Sequence, residues 1–146
     1  MAQPFIGTLP QTPNTLVLRT DFSDGEVWDA VCDQIRSSSC EGFVEQYTCI
    51  SDLMWSDLPN DRLTMFDPPP YFYFVVDRLT IEHDEHPVLA VSLQKEESQE
   101  AESPQTFRLV PGEATALACN LNTANMDFSE VAANTDSDGI FRGFKS

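Results

Sequence analysis

The residues of this chain best placed to do chemistry are carboxylates lying just past apolar segments. Thr15 to Thr20 (TLVLRT) runs into Asp21 and Asp24, and Tyr71 to Val76 (YFYFVV) runs into Asp77 and Arg78. Ligands of open α/β sheets bind outside the carboxyl ends of parallel strands. If these two segments are neighbouring strands, Asp21, Asp24 and Asp77 converge on an oxygen-rich pocket. Such a pocket suits acid-base work, provided one carboxylate is desolvated and its pKa raised. The competing use is structural: Asp24 belongs in a first helical turn, and Arg78 pairs with Asp77.

An oxygen-rich pocket at strand ends also suits Mg²⁺, as in phosphoacceptor receiver domains. The threonine and lysine that such a domain needs at its fourth and fifth parallel strands are not found, so the ordinary reading prevails. His83 and His86 have divalent-metal spacing within Glu82-His83-Asp84-Glu85-His86, but no third ligand converges in sequence, and a solvated connector is expected. Asn134 to Ile140 (NTDSDGI) matches the first half of an EF-hand loop, with Asp136 and Asp138 at ligand positions. Lys145 stands where the bidentate glutamate belongs, so an Asp-Gly turn is expected instead. Asn120, Asn122, Asn125 and Asp127 offer polar groups to a ligand or serve as helix caps. Phosphate-cradling glycine loops, nucleophile elbows and HExxH are absent from the sequence. No motif rises to a reaction assignment, and neither a cofactor nor a metal is called for.

Around these residues the pattern predicts a series of short elements. Thr15 to Thr20 is a strand. Ser23-Asp24-Gly25-Glu26 reads as a capping box with Ser23 as the cap. Val27, Trp28, Val31, Cys32 and Ile35 follow at helical spacing, with Arg36 in the last turn and the helix ending in the serine run. Phe43 to Ile50 alternates as a second strand, with Tyr47 and Cys49 on one side. Asp52 to Met65 carries Leu53, Met54, Trp55 and Leu58 as one or two apolar helical turns broken by Pro59. Tyr71 to Val76 is a strand buried on both faces. Val88 to Leu93 and Thr106 to Val110 are further strands. Pro111 begins a helical region reaching about Leu121, Asp127 caps a short helix over Phe128 to Ala133, and Ile140 to Phe144 closes the chain. The order is β-α-β-α-β and then a β-hairpin, which gives a single small mixed α/β sheet of about five strands with helices packed on it.

The chain has 146 residues, the size of one domain. Residues 1–14, with prolines at 4, 10 and 13, form an extended N-terminal arm. Residues 15–146 form the single α/β domain, in which 95–105 is a mobile acidic loop. The opening residues lack the basic start and apolar run of a signal peptide, and no segment approaches membrane-spanning length. A cytoplasmic location follows, with Cys32, Cys40, Cys49 and Cys119 kept as thiols. Cys32 and Cys49 fall on apolar faces, where a thiol acts as a small hydrophobe.

Charge narrows the partners. With 24 acidic and 8 basic residues the formal net charge is −16. Nucleic acid and anionic membrane are excluded as electrostatic partners, because binding either depends on neutralising phosphate. The predicted first helix carries Asp24, Glu26, Asp29 and Asp33, and Glu82 to Glu102 holds seven acids against one lysine.

TLVLRTDFSDGEVW (15–28), FVVDR (74–78), EHPVLAV (85–91), TFRLV (106–110), NLNTANMDF (120–128) and DGIFRGF (138–144) together resemble a family of small uncharacterised bacterial and fungal proteins carrying a domain of unknown function. The resemblance implies a stand-alone domain and no activity. It marks Asp21, Trp28, Asp77, Arg78, Asn125 and Asp127 as residues within the matching pieces. The expected function is an interaction module for a basic protein partner, steered by opposite charge. The alternative is a small enzyme of specialised metabolism using strand-end carboxylates for acid-base or metal-assisted chemistry, with a small-molecule ligand. The candidate ligand-binding residues are Asp21, Asp24, Asp77, Arg78, Asn125 and Asp127.

Overall fold

The computed structural model describes residues 14–38, 40, 45–59, 72–92, 105–122 and 128–143. The expected arm therefore lies outside the described residues except for Asn14, whose amide donates to Thr48 Oγ1 at 3.1 Å. The expected acidic loop lies outside them up to Gln105, which opens a strand.

Alternating apolar residues build one six-stranded sheet in the order β2-β1-β3-β4-β5-β6. Its strands are β1 (Thr15–Arg19), β2 (Tyr47–Ile50), β3 (Phe72–Val76), β4 (Val88–Ser92), β5 (Gln105–Leu109) and β6 (Ile140–Phe141). β1 lies parallel to β2 and β3, with Val17 opposite both Cys49 and Phe74. β3 pairs antiparallel with β4, β4 antiparallel with β5, and β5 parallel with β6. Thus β3 is the seam where parallel pairing gives way to antiparallel. All five of its residues are buried, as six consecutive apolar residues demand of a central strand.

The mixed α/β class holds, with six strands where about five are expected. The additional strand, β6, has only two residues, too few to show a period of two. Its register is Arg108 opposite Ile140 and Leu109 opposite Phe141.

Side chains alternate between two cores because successive strand residues point to opposite faces. Val17, Tyr47, Phe74, Val76, Ala90, Phe107 and Leu109 face the helices. These are α1 (Gly25–Ser37), α3 (Ala114–Asn122) and α4 (Phe128–Ala132). Leu16, Leu18, Tyr73, Val75, Leu89 and Val91 face the other way and pack with Trp55. In α1 the buried residues are Trp28, Val31, Cys32 and Ile35, the stripe predicted by helical spacing.

The cap of α1 differs from expectation. Asp24, not Ser23, accepts from the Glu26 and Val27 amides, at 3.1 and 3.2 Å. Ser23 directs its own amide and hydroxyl to Asp21 Oδ1 instead. Asp and Ser are equivalent caps, and the Asp21 turn leaves Asp24 to do the work. A reciprocal capping box does occur at α2 (Arg78–Glu82), a five-residue helix too short for its periodicity to be visible, where Asp77 and Thr80 cap each other.

A buried chain of hydroxyls fastens α1 to the sheet and to α3. Ser38 Oγ donates to Thr115 Oγ1 at 2.7 Å, and Tyr47 Oη meets the same oxygen at 2.8 Å. Burial, against the help of Thr115, pushes the Tyr47 phenol up to about 12. Among the described residues no helix is long and apolar enough to cross a membrane.

Candidate functional site

The carboxyl edge of β2, β1 and β3 is where the sheet rule places a ligand, and β1 and β3 are the parallel neighbours that a converging pocket requires. The Thr20 amide extends their ladder to Val76 O at 3.0 Å. Asp21 and Asp77 therefore stand just past the ends of adjacent strands, but their carboxylates serve different groups.

Asp77 is buried and directed across β4 to Arg108 on β5. The guanidinium grips it with two bonds, Nη1 to Oδ1 at 2.9 Å and Nη2 to Oδ2 at 2.7 Å. Thr80 donates its amide to the same carboxylate at 3.2 Å, and Pro87 O accepts from both Thr80 Oγ1 and Arg108 Nη1, at 2.8 and 3.2 Å. Burial alone pushes the Asp77 carboxyl up. The hydrogen bonds and charge of Arg108, with Thr80, outweigh it and hold the carboxyl below its ordinary range. A general acid requires the reverse shift.

Asp21 remains at the surface, accepting from Ser23. Asp24 is exposed and caps α1. Arg78 does not pair with Asp77 as expected. It reaches Glu82 at 2.7 Å, one helical turn on, because its position at the start of α2 aims it along the exposed face. Glu82, and at longer range Asp21 and Asp57, raise the Arg78 pKa. Asn125 and Asp127 lie outside the described residues. Among the described residues no group of three or more His, Cys, Asp or Glu is arranged to hold a metal ion.

Several residues of this edge escape sequence reasoning. Arg19, at the end of β1, lies over the rings of Phe22 and Trp28 at 4.3 and 5.4 Å. It also donates to Asp21 O and Ser51 Oγ, both at 3.2 Å, tying together the ends of β1 and β2 and the start of α1. The visible signal is an arginine closing a strand with Phe22 and Trp28 just behind it. Leu53 and Met54, expected on one or two short helical turns, are 71% and 65% exposed on the 3-10 turn after β2. Only Trp55 of that turn is buried, because Asp52 caps it and fixes its outer face to solvent. Asp57, with φ of 59°, then donates its amide to Thr20 O at 2.7 Å and closes the turn against β1. Leu79, on α2 after β3, is 45% exposed.

The remaining clusters are internally satisfied. His83 Nδ1 accepts from the Glu85 amide, and His86 Nδ1 donates to Thr80 O, so both rings brace the connector. The EF-hand-like stretch is a turn, with Gly139 at φ of 83°, a left-handed conformation that favours glycine. Arg142 occupies the charge role a cation would take, with nitrogens 2.7 to 2.8 Å from Glu85, Asp136 and Asp138. Asn120 donates back to Ala116 O within α3.

A family model described as a domain of unknown function (DUF6924) matches residues 14–144, nearly all of the chain. No curated protein matches it.

Proposed function

We propose that this chain, which belongs to the DUF6924 family, is a cytoplasmic interaction module whose carboxyl edge receives a basic segment of a partner protein carrying apolar side chains. The carrying observation is the pair Leu53 and Met54, side by side and more than half exposed, with acidic residues on either side. Asp52 and Asp57 flank that pair in the chain, and both are exposed. Asp21 and Asp24 follow the end of β1, and exposed Glu82 closes α2, the helix that follows β3. Among the described residues no Lys, Arg or His forms a salt bridge with Asp21, Asp24, Asp52 or Asp57.

Burying a Leu or Met side chain contributes about 1.5–3 kcal/mol, enough to anchor a contact. Surrounding carboxylates supply orientation and speed of encounter with a positive partner. The exposed acids of α1, Glu26, Asp29 and Asp33, extend the negative field along the neighbouring helix. The net charge of −16 argues against nucleic acid or anionic membrane as that partner. A bacterial or fungal setting, as the sequence resemblance implies, fits the same reading. The enzyme alternative draws less support, because Arg108 holds the Asp77 carboxylate ionised.

Affinity capture from lysate tests the proposal with the intact chain, a Leu53→Ser/Met54→Ser variant and an Asp52→Asn/Asp57→Asn variant. A partner rich in Lys and Arg should bind the intact chain, weaken steeply as salt rises and be lost from both variants. Capture that ignores salt and survives both substitutions would refute it.

A further inference from the structure

We infer that Arg19 receives the C-terminal carboxylate of the basic segment that docks at the carboxyl edge, so that the partner is recognised by its chain end. The inference rests on the docking reading above and names the group that orients the segment. From β1 the chain crosses through α1 to β2 on one side, and the next strand, β3, lies on the other side of β1. Strand order thus reverses at β1, and open α/β sheets bind ligands in the crevice that such a reversal opens beyond the carboxyl ends of the strands. Arg19 closes β1 and, like Val17, stands on the helix-facing side of the sheet.

Its charge is answered differently from that of the other anchored arginines. Arg78, Arg108 and Arg142 each form salt bridges with carboxylates. Arg19, half-buried in a chain of net charge −16, forms none with a described residue. The acids just after it are turned to other donors: Asp21 Oδ1 accepts from Ser23, and Asp24 Oδ1 from the Glu26 and Val27 amides. What holds the guanidinium is neutral. Nε donates to Asp21 O and Nη1 to Ser51 Oγ, and the rings of Phe22 and Trp28 lie 4.3 and 5.4 Å away. These contacts fix its orientation and leave Nη2 without an acceptor among the described residues. Gly25 stands beside that nitrogen: a Cβ there would lie 3.8 Å from Nη2, so bare backbone leaves the approach open. A guanidinium oriented in advance suits a carboxylate, and the charge-assisted bond it makes is about twice as strong as a neutral one. Ser51 leads directly into Asp52, Leu53 and Met54, so a segment with Lys and Arg side chains, an apolar residue and a terminal carboxylate finds its three counterparts here. A multiply charged phosphate suits the site less, because the net charge of −16 repels each further negative charge.

The test is titration of the full chain with an N-acetylated lysine-rich peptide ending in leucine, made with a free C-terminal carboxylate and as the carboxamide. Net charge alone favours the carboxamide, which has one negative charge fewer to set against an acidic chain. The Arg19 site predicts the reverse, with the free carboxylate bound about tenfold more tightly. Arg19→Gln should abolish that preference. Because Arg19 also ties β1 to β2 and α1, Gly25→Asp serves as the second variant: it keeps Arg19 and places a carboxylate beside Nη2, at a first-turn position that favours an acid. Gly25→Asp should still bind the carboxamide and lose the preference for the free carboxylate. Carboxamide binding as tight as the free acid on the wild-type chain, a preference that survives Gly25→Asp, or binding of neither peptide would overturn the proposal. The two failures are distinguishable. A tight carboxamide refutes the role of Arg19 and leaves the basic-segment reading standing, whereas peptide binding indifferent to Leu53→Ser/Met54→Ser and Asp52→Asn/Asp57→Asn refutes that reading and the proposal with it.

Discussion

Asp77 and Asp21 stand at the ends of adjacent parallel strands, yet they meet opposite fates. Asp77 is drawn inward, gripped by Arg108 and Thr80, and joins β3, α2, β4 and β5 into one polar knot. Asp21 stays at the surface, its carboxylate accepting from Ser23 and forming no salt bridge among the described residues. The difference teaches that a carboxylate at a strand end gains its role from the cations in reach. Where an arginine grips the carboxylate within the sheet the acid becomes structural, and where no salt bridge forms it remains available to a partner.

The sharpest way to break the comparison is to remove the inner cation. Arg108→Met should leave Asp77 buried and unpaired and cost about 3–5 kcal/mol, measured by urea denaturation. An Asp21→Asn substitution should leave the same curve within about 0.5 kcal/mol. If the two variants unfold alike, the distinction between an inner and an outer carboxylate fails.

The outer region should show the converse. Leu53→Asp combined with Met54→Asp should leave the midpoint nearly unchanged. It should also reduce affinity for a captured basic partner by roughly 100-fold, about 2.7 kcal/mol, measured by titration calorimetry. A smaller loss, about 1–2 kcal/mol of stability, is expected for Tyr47→Phe, which removes one member of the buried hydroxyl chain while keeping the ring.

The pH dependence separates the two regions more gently. The folded-state pKa of Asp77 lies below its ordinary 3.8, so the unfolded chain binds that proton more readily. Its stabilisation is complete above the ordinary value and is lost as pH falls through the depressed one. Asp77→Asn should therefore flatten the fall in stability below pH 3.8, as read by denaturation at stepped pH. An unaltered acid limb would remove Asp77 from the account.

Much of the fold is legible in the sequence. The apolar run at 72–76, the α1 stripe and the alternation that sets Tyr47 and Cys49 on one face of β2 all follow from local periodicity. What escapes is whatever depends on pairing at a distance. Arg108 reaches Asp77 only because two antiparallel steps bring β5 to β3, and no spacing in the chain reveals it. Leu53 and Met54 have core composition, and only the cap at Asp52 and the burial of Trp55 turn them outward. At the site, the sequence identifies Asp21 and Asp77 as strand-end acids and leaves their separate roles to the tertiary fold.

The most direct test of the outer surface is site-specific photo-crosslinking in living cells, with a photoreactive residue at Leu53 and a control at exposed Ala133 beyond α4. The account predicts a discrete adduct with a Lys- and Arg-rich protein from position 53, diminished by Asp52→Asn/Asp57→Asn and absent from position 133. No adduct at position 53, or equal adducts at both positions, would contradict the claim that this edge is where the molecule meets its partner.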